Sequence, residues 1–272
     1  RAYVMAKTMT KTSFPDNNIG YLCTDWQLER SLGVKTALKL IDKDETLMAY
    51  SFAQLTDLSN QAANLLSSMG FQKGDRIMLL LSKTIEMYAF FLGGMKLGLN
   101  SCILFNSIGE DSIIERVKET DTKAIISTSK MNFRLVKVLQ KLDASFRVLL
   151  VDENQTERQF VGIHDQLNHS STQFCTPATD PEQYSHFHFT SGSTGKPKAV
   201  QHCHAGIIDH LRSFEAVMQA NPDDLYWCTA YPGWVTGTTY GITAPWDSGL
   251  TQIQLDANYD PELWIRVIER HK

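Results

Sequence analysis

The sequence predicts an α/β fold in which parallel sheets are flanked by helices. Between residues 75 and 151, short apolar runs alternate with stretches whose apolar residues recur at every third or fourth position. A continuous apolar run is typical of a strand buried on both faces, and the three-and-four spacing is typical of an amphipathic helix. Their alternation predicts βαβ units with right-handed crossovers, and therefore a parallel sheet.

The first half of the chain holds the elements of this sheet. Residues 53–69 carry apolar side chains at helical spacing, and Gly70 is a typical C-terminal stop. Strands are predicted over 76–81, 101–105, 123–127 and 146–151, and helices over 85–95, 110–120 and 131–142. Residues 152–183 are polar and lack periodicity, which predicts a surface excursion or a boundary between lobes.

The second half predicts a further α/β block. Apolar residues of 207–218 lie on one face of a helix, and Asp260 with Pro261 is a typical N-cap and first residue of a last helix. The strand candidates are 184–189, 198–203, 225–229 and 250–255.

Composition narrows the classes of function. Of the 272 residues, 43% are hydrophobic and 21% are charged, which is a normal globular balance. The 26 basic and 30 acidic residues give a net charge of −4, so we expect no nucleic-acid partner. No membrane span is predicted, because no run of about 18 uncharged apolar residues occurs. The five cysteines form no CxxC pair, which predicts a reducing, cytoplasmic location rather than a disulfide framework.

The most informative stretch runs from Thr190 to Lys198. Its two glycines allow tight turning and close backbone approach to a ligand, while hydroxyls and two lysines suit phosphate oxygens. The stretch is not a Walker A loop, since its glycines are three apart and Pro197 follows Lys196. Proline removes a donor and sets φ, so the loop is expected to pass between two strands rather than into a helix.

This stretch resembles the phosphate loop of the adenylate-forming enzymes, which include acyl-CoA synthetases, peptide-synthetase adenylation domains and firefly luciferase. Gly74-Asp-Arg76, Phe91-Leu-Gly-Gly-Met-Lys-Leu-Gly98 and Gly233-Trp-Val-Thr-Gly237 are similar to further segments of the family, the last to acetyl-CoA synthetase-like members. The resemblance implies the luciferase/acyl-CoA synthetase-like fold, with residues 1–272 forming an incomplete N-terminal adenylation domain. We expect a first α/β lobe over 70–185, and part of a second lobe from 24–69 together with 186–272.

The implied reaction is acid activation by ATP to an acyl-adenylate, followed by acyl transfer to coenzyme A, with Mg²⁺ as a Lewis acid. The resemblance implies that the loop binds the ATP phosphates. Its hydroxyls would donate hydrogen bonds, its glycines would allow close approach of the backbone, and its lysines would supply positive charge. The residues concerned are Thr190, Ser191, Gly192, Ser193, Thr194, Gly195, Lys196 and Lys198. The implied partner is a small-molecule carboxylic acid, and no catalytic residue is assigned.

A second group of candidates is implied to line the acyl pocket. It comprises Trp234, Val235, Thr236, Gly237 and His204. Core packing is the alternative for Trp234, and capping of the following helix or solvent exposure is the alternative for His204. Tyr231 stands where acetyl-CoA synthetases carry Asp, so acetate is not predicted as the acid. The histidines near the loop include His202-Cys-His204, but no second ligand pair has zinc spacing, so no metal site is predicted.

Family segments that contact adenine, magnesium and ribose, and the C-terminal domain, do not occur in these 272 residues. We therefore expect a fragment that is inactive in full turnover and that exposes apolar surface, with self-association or a homo-oligomer as a consequence. Three alternatives stay open: a non-catalytic interaction module of the same fold, an adenylation domain that loads a carrier protein, and a P-loop kinase or NTPase. Failure of the Walker A spacing counts against the last.

Overall fold

The computed structural model describes residues 17–191 and 197–271. The helices in this part of the chain are α1 (Ile19–Cys23), α2 (Asp25–Glu29), α3 (Phe52–Ser68), α4 (Ile85–Leu97), α5 (Glu110–Thr120), α6 (Asn132–Leu139), α7 (His164–His169), α8 (Ile207–Met218), α9 (Val235–Thr238), α10 (Ala244–Asp247) and α11 (Pro261–Arg270). A π-helical turn, Thr239–Thr243, joins α9 to α10. Among the described residues, no helix combines the length and apolarity that crossing a membrane requires.

The strands form two sheets. They are β1 (Thr36–Asp42), β2 (Leu47–Ser51), β3 (Arg76–Leu80), β4 (Asn100–Ile103), β5 (Ala124–Ser127), β6 (Arg147–Leu150), β7 (Thr156–Glu157), β8 (Phe160–Gly162), β9 (Tyr184–Ser191), β10 (Pro197–Cys203), β11 (Leu225–Tyr226) and β12 (Thr251–Asp256). The larger sheet has the order β10-β9-β4-β3-β5-β6-β8-β7, and the smaller has the order β11-β12-β1-β2. The predicted parallel sheet is confirmed, because β3 pairs in parallel with both β4 and β5, and β5 with β6.

Strand β3 shows why its sequence is apolar without interruption. Ile77 and Leu79 face one buried cluster, which includes Leu55 of α3, and Met78 and Leu80 face another. The second cluster takes its helical residues from α5 and α6, such as Ile113. Both faces of the larger sheet are therefore covered, as an alternation of buried strands and helices requires.

Trp246 links the smaller sheet to helix α4. Its indole Nε1 donates to the carbonyl of Ala37 in β1 at 3.0 Å. Its ring meets the edge of Tyr88 from α4 at a centroid distance of 5.2 Å. Both aromatic side chains are fully buried. One tryptophan thus joins β1 of the smaller sheet to α4, the helix that packs against β3 and β4 of the larger sheet.

The structure differs from the sequence prediction over 152–183. Instead of an unstructured excursion, this stretch supplies the β7–β8 hairpin and α7, and β8 continues the larger sheet by pairing in parallel with β6. Strands this short show no readable period, because their pairing uses backbone groups. Strands β1 and β2 were covered by no prediction.

Sheet membership also crosses the predicted lobe boundary near residue 185. Strands β9 and β10 belong to the larger sheet, whereas β11 and β12 join β1 and β2 in the smaller one. The lobe limits themselves stay a prediction.

Candidate functional site

The phosphate-loop candidates lie at the end of a β-hairpin. Strands β9 and β10 pair antiparallel, with Thr190 opposite Lys198 and Ser191 opposite Pro197. The expectation that the stretch connects two strands is confirmed, since strand follows strand on either side of it. The loop residues between them, Gly192, Ser193, Thr194, Gly195 and Lys196, lie outside the described residues. Thr190 and Lys198 are exposed at the described end of the hairpin.

The base of this hairpin is held firmly. β9 pairs in parallel with β4, where Ser101 lies beside His186. Further along β9, Phe187 is buried and packs edge-on against Phe189. The guanidinium of Arg116, from α5, lies 4.8 Å from the centroid of the Phe189 ring, which is a cation–π contact. A hydroxyl and an ammonium group are thus placed together at the tip of a well-packed support.

An aromatic wall stands at the carboxyl ends of the central strands. Phe105, just after β4, stacks on Tyr231 at 5.0 Å and meets Trp234 edge-on at 4.8 Å. The Tyr231 hydroxyl donates to the carbonyls of Leu81 and Leu104, at 3.3 and 3.2 Å. Burial raises the pKa of Tyr231, so the phenol keeps its proton and remains a donor at neutral pH. The carboxyl ends of parallel strands are where open α/β sheets place their ligand sites.

The loop that carries Tyr231 and Trp234 packs so closely on neighbouring backbone that two of its positions have no room for a side chain. A Cβ atom at Gly237 would lie 1.9 Å from the Tyr231 carbonyl oxygen. At Gly233 a Cβ would lie 3.0 Å from the Ile103 carbonyl oxygen. The glycines of the Gly233–Gly237 segment therefore serve close packing of backbone on backbone.

A side-chain contact connects the hairpin that carries the phosphate-loop candidates to the segment that carries Trp234. Thr238, directly after Gly237, lies 2.9 Å from Nε2 of His188 in β9 through its hydroxyl, and that hydroxyl also donates to the Pro232 carbonyl at 2.7 Å. The first turn of α9 is thereby tied to the hairpin. Within this segment Trp234, Val235 and Thr236 are exposed.

Exposure distinguishes the two tryptophans of this region. Trp234 is 58% exposed, whereas Trp246 is fully buried. Core packing, the alternative considered for Trp234, therefore describes Trp246 instead. A large exposed indole on a fixed loop is the kind of surface that lines a ligand site.

His204 is placed differently from the other candidates. It is fully buried, and its Nδ1 accepts a hydrogen bond from the Ile19 amide at 2.9 Å. Burial lowers its pKa to about 3, so the ring is neutral at physiological pH. These contacts favour a structural role in which His204 secures α1, and a role beside the acyl group stays a prediction.

Two residues that the sequence reasoning missed lie where the sheets meet. The Lys83 amide, after β3, donates to the Asp256 carboxylate at the end of β12, at 3.1 Å. Burial raises the pKa of Asp256 and lowers that of Lys83. The signal available in the sequence was position alone, since Lys83 lies three residues after β3 and Asp256 is the last residue of β12.

Comparison with known proteins agrees with this geometry. The family model described as AMP-binding enzyme matches residues 26–272. The acetyl-coenzyme A synthetase of Bacillus subtilis is 32% identical over 257 residues, which cover 93% of this chain and 44% of that protein. The enzyme of the same name from Streptomyces avermitilis is 29% identical over 259 residues, covering 89% and 40% respectively.

A solved structure supports the fold. The crystal structure of the Brucella canis acyl-CoA synthetase matches with a TM-score of 0.87 at 24% identity, covering 99% of this chain and 48% of that one. The chain thus spans less than half the length of these relatives. Given the family match across almost all of its residues, the chain belongs to the AMP-binding family of adenylate-forming enzymes, of which it represents the N-terminal portion.

Proposed function

We propose that the protein containing this chain is an AMP-forming acid–CoA ligase. In the proposed reaction a carboxylate oxygen attacks the α-phosphorus of ATP, and the bond to the β-phosphate oxygen breaks, releasing pyrophosphate. The thiol of coenzyme A then attacks the acyl carbon and AMP leaves. The family membership and relatives named acetyl-coenzyme A synthetase support this reading.

One observation carries the proposal. The hairpin whose connection holds the phosphate-binding sequence is hydrogen-bonded, through His188 and Thr238, to the segment that presents Trp234. This contact supports a proposal in which the phosphate-binding and acyl-binding residues lie on hydrogen-bonded neighbouring segments, as attack of an acid on a nucleotide phosphate requires.

The residues of the hairpin fit a polyphosphate. Thr190 and Lys198 place a hydroxyl and a cation at its described end, and we assign the ATP phosphates to them and to Ser191, Gly192, Ser193, Thr194, Gly195 and Lys196. Mg²⁺ would neutralise phosphate charge when bound. We assign no residue of this chain to the ion.

The acyl end of the substrate is proposed to contact Trp234, Val235 and Thr236. Gly237 is proposed to position them by allowing close packing of its backbone. Phe105, Tyr231 and Trp234 contribute aromatic rings to the wall, which favours an acid with an apolar chain over one with a second charge. A cytoplasmic location is also proposed, because none of the five cysteines forms a disulfide in the described part of the chain.

Acid-dependent exchange of pyrophosphate into ATP tests the first half-reaction. We expect exchange with at least one acid from a series of aliphatic and aromatic acids, using the protein as its gene encodes it. Thr194→Ala should reduce exchange at least about 10-fold, because charge-directed hydrogen bonds to phosphate are lost. Thr156→Ala, on the exposed edge strand β7, is the matched control and should leave the rate unchanged.

The second half-reaction separates the branches of the family. Formation of an acyl-CoA thioester supports the ligase, whereas exchange without thioester formation indicates a carrier-loading domain. Absence of exchange with every acid would contradict the proposal and favour a non-catalytic module.

A further inference from the structure

Three histidines to which the proposed reaction assigns no contact with the substrates lie on one face of the β9–β10 hairpin. His186 and His202 are direct cross-strand partners. His188 follows His186 by two positions, so the strand pleat points both side chains the same way. The rings of His186 and His202 stack at 4.7 Å, and that of His188 meets them edge-on at 5.3 and 5.0 Å.

The Ser185 hydroxyl lies between His186 and a carbonyl group. It is 2.9 Å from Nδ1 of His186 and 3.1 Å from the His202 carbonyl oxygen. When the hydroxyl donates to that carbonyl, it accepts from Nδ1 of His186, and Nε2 then carries a lone pair. Nε2 is buried and has no hydrogen-bond partner in the described part of the chain.

The same logic holds for His188 with the nitrogens exchanged. The Thr238 hydroxyl gives its proton to the Pro232 carbonyl, so it accepts from Nε2 of His188. Nδ1 of His188 then carries the lone pair, and among the described residues it too is buried without a partner. A hydroxyl or carbonyl that accepts from the second ring nitrogen is the usual support behind a metal-binding histidine.

His202 completes the set. Its Nε2 is also buried without a partner among the described residues, although the side chain as a whole is only partly buried. One ring nitrogen from each histidine lies within 4.8 Å of the others.

We propose that His186, His188 and His202 form a binding site for a divalent transition-metal ion such as Zn²⁺. Imidazole nitrogen suits zinc and its neighbours in the first transition row, and three protein ligands leave a fourth position for water. Nitrogens bound to one zinc ion at about 2.0–2.1 Å stand roughly 3.3 Å apart in a tetrahedral shell. Binding of an ion therefore requires the rings to rotate about χ2, which is broad in histidine.

The site would tie the two strands of the hairpin together. His186 and His188 belong to β9 and His202 to β10, so a shared ion cross-links the strands below the connection that holds Gly192–Lys196. Sequence spacing does not reveal this set, because antiparallel register, rather than a short ligand repeat, brings the histidines together.

Zinc titration tests the site on the protein as its gene encodes it, without a histidine tag and after removal of metal by a chelator. We expect one Zn²⁺ per chain and a higher melting temperature with zinc present. His202→Gln, at the partly exposed ligand, should weaken zinc binding at least about 10-fold. His169→Gln, an exposed histidine of α7, is the control and should bind as the unaltered protein does.

A second measurement does not depend on how variants fold. Zinc K-edge absorption of the unaltered protein should show imidazole nitrogen at about 2.0–2.1 Å. The proposal is overturned if the unaltered protein takes up no zinc, or if its edge spectrum lacks imidazole scattering. It is also overturned if the variants His202→Gln and His188→Gln both bind zinc as tightly as the unaltered protein does. None of these outcomes depends on ligase activity.

Discussion

Gly237 lies where the backbone of α9 passes closest to the loop before it. The position a Cβ atom would take is occupied by the carbonyl group of Tyr231, whose ring belongs to the aromatic wall. An added methyl group must therefore displace the Tyr231 backbone and, with it, the ring that stacks on Phe105, since backbone cannot move aside as a flexible side chain does.

Gly237→Ala should lower the free energy of unfolding by about 1–3 kcal/mol, the usual cost of overpacking. Acid-dependent pyrophosphate exchange should fall more than stability alone explains, because Trp234 moves with the loop. Chemical denaturation and exchange rates of the folded variant measure the two effects. Gly206→Ala is the matched control: its φ is −58° and the nearest atom to the new Cβ is 3.8 Å away. Equal effects of the two substitutions would count against this account.

Lys96 shows how elements are joined by a charge inside the protein. Its Nζ lies 2.6 Å from the Asp25 carboxylate in α2 and 2.6 Å from the Asn60 amide oxygen in α3. The lysine itself belongs to α4 and is fully buried. Desolvation lowers its pKa to about 8, against the opposing effect of Asp25.

This lowered pKa predicts the pH dependence of stability. Below pH 8 the ammonium is charged in both states, and the cost of burying it is fully present. Between about pH 8 and 10.5 the folded protein loses the proton while the unfolded chain keeps it, so stability rises with pH.

The free energy of unfolding of the native chain, minus that of Lys96→Met, should rise by about 1–3 kcal/mol over this interval. Taking the difference cancels the tyrosine and cysteine ionisations that both proteins share. Lys123→Met, at an exposed ion pair with Asp121, should show no such rise relative to the native chain. A flat or falling difference for Lys96→Met would remove the desolvation argument. Urea unfolding at several pH values supplies the measurement.

Elements differ in how far the sequence predicts them. Strands β3 to β6 and their helices were predicted closely. A strand that is buried on both faces has a continuous apolar sequence, and an amphipathic helix has apolar residues at every third or fourth position. The cap of α11 was also readable, and Asp260 does accept hydrogen bonds from the Glu262 and Leu263 amides. Strands β7 and β8 were missed because pairs of two or three residues carry no period.

The same distinction between local and long-range signals decides which parts of the candidate site were predicted from the sequence. The hairpin around the phosphate-binding sequence was predicted from Pro197, a local signal. The histidine cluster and the Lys83–Asp256 contact were not, because both depend on strand register and on how two sheets meet. Such long-range pairing produces no local sequence pattern from which it could be predicted.

At the scale of the whole molecule, two sheets must keep a fixed relation for the site to exist. The wall residues Tyr231 and Trp234 follow β11 of the smaller sheet, while Phe105 and the hairpin belong to the larger one. Trp246 spans this junction by its hydrogen bond to Ala37 and its contact with Tyr88. Its loss should therefore loosen the junction rather than a single helix.

Trp246→Phe should lower the free energy of unfolding by about 2–4 kcal/mol, because the smaller ring leaves a cavity and the buried Ala37 carbonyl loses its donor. Trp234→Phe makes the same chemical change at a side chain that is 58% exposed, and should alter stability by no more than about 0.5 kcal/mol. Its effect should instead fall on which acids support pyrophosphate exchange. Denaturation of both variants, with the acid series measured on each, separates the two roles. A larger stability loss for Trp234→Phe than for Trp246→Phe would mean that the junction is held elsewhere.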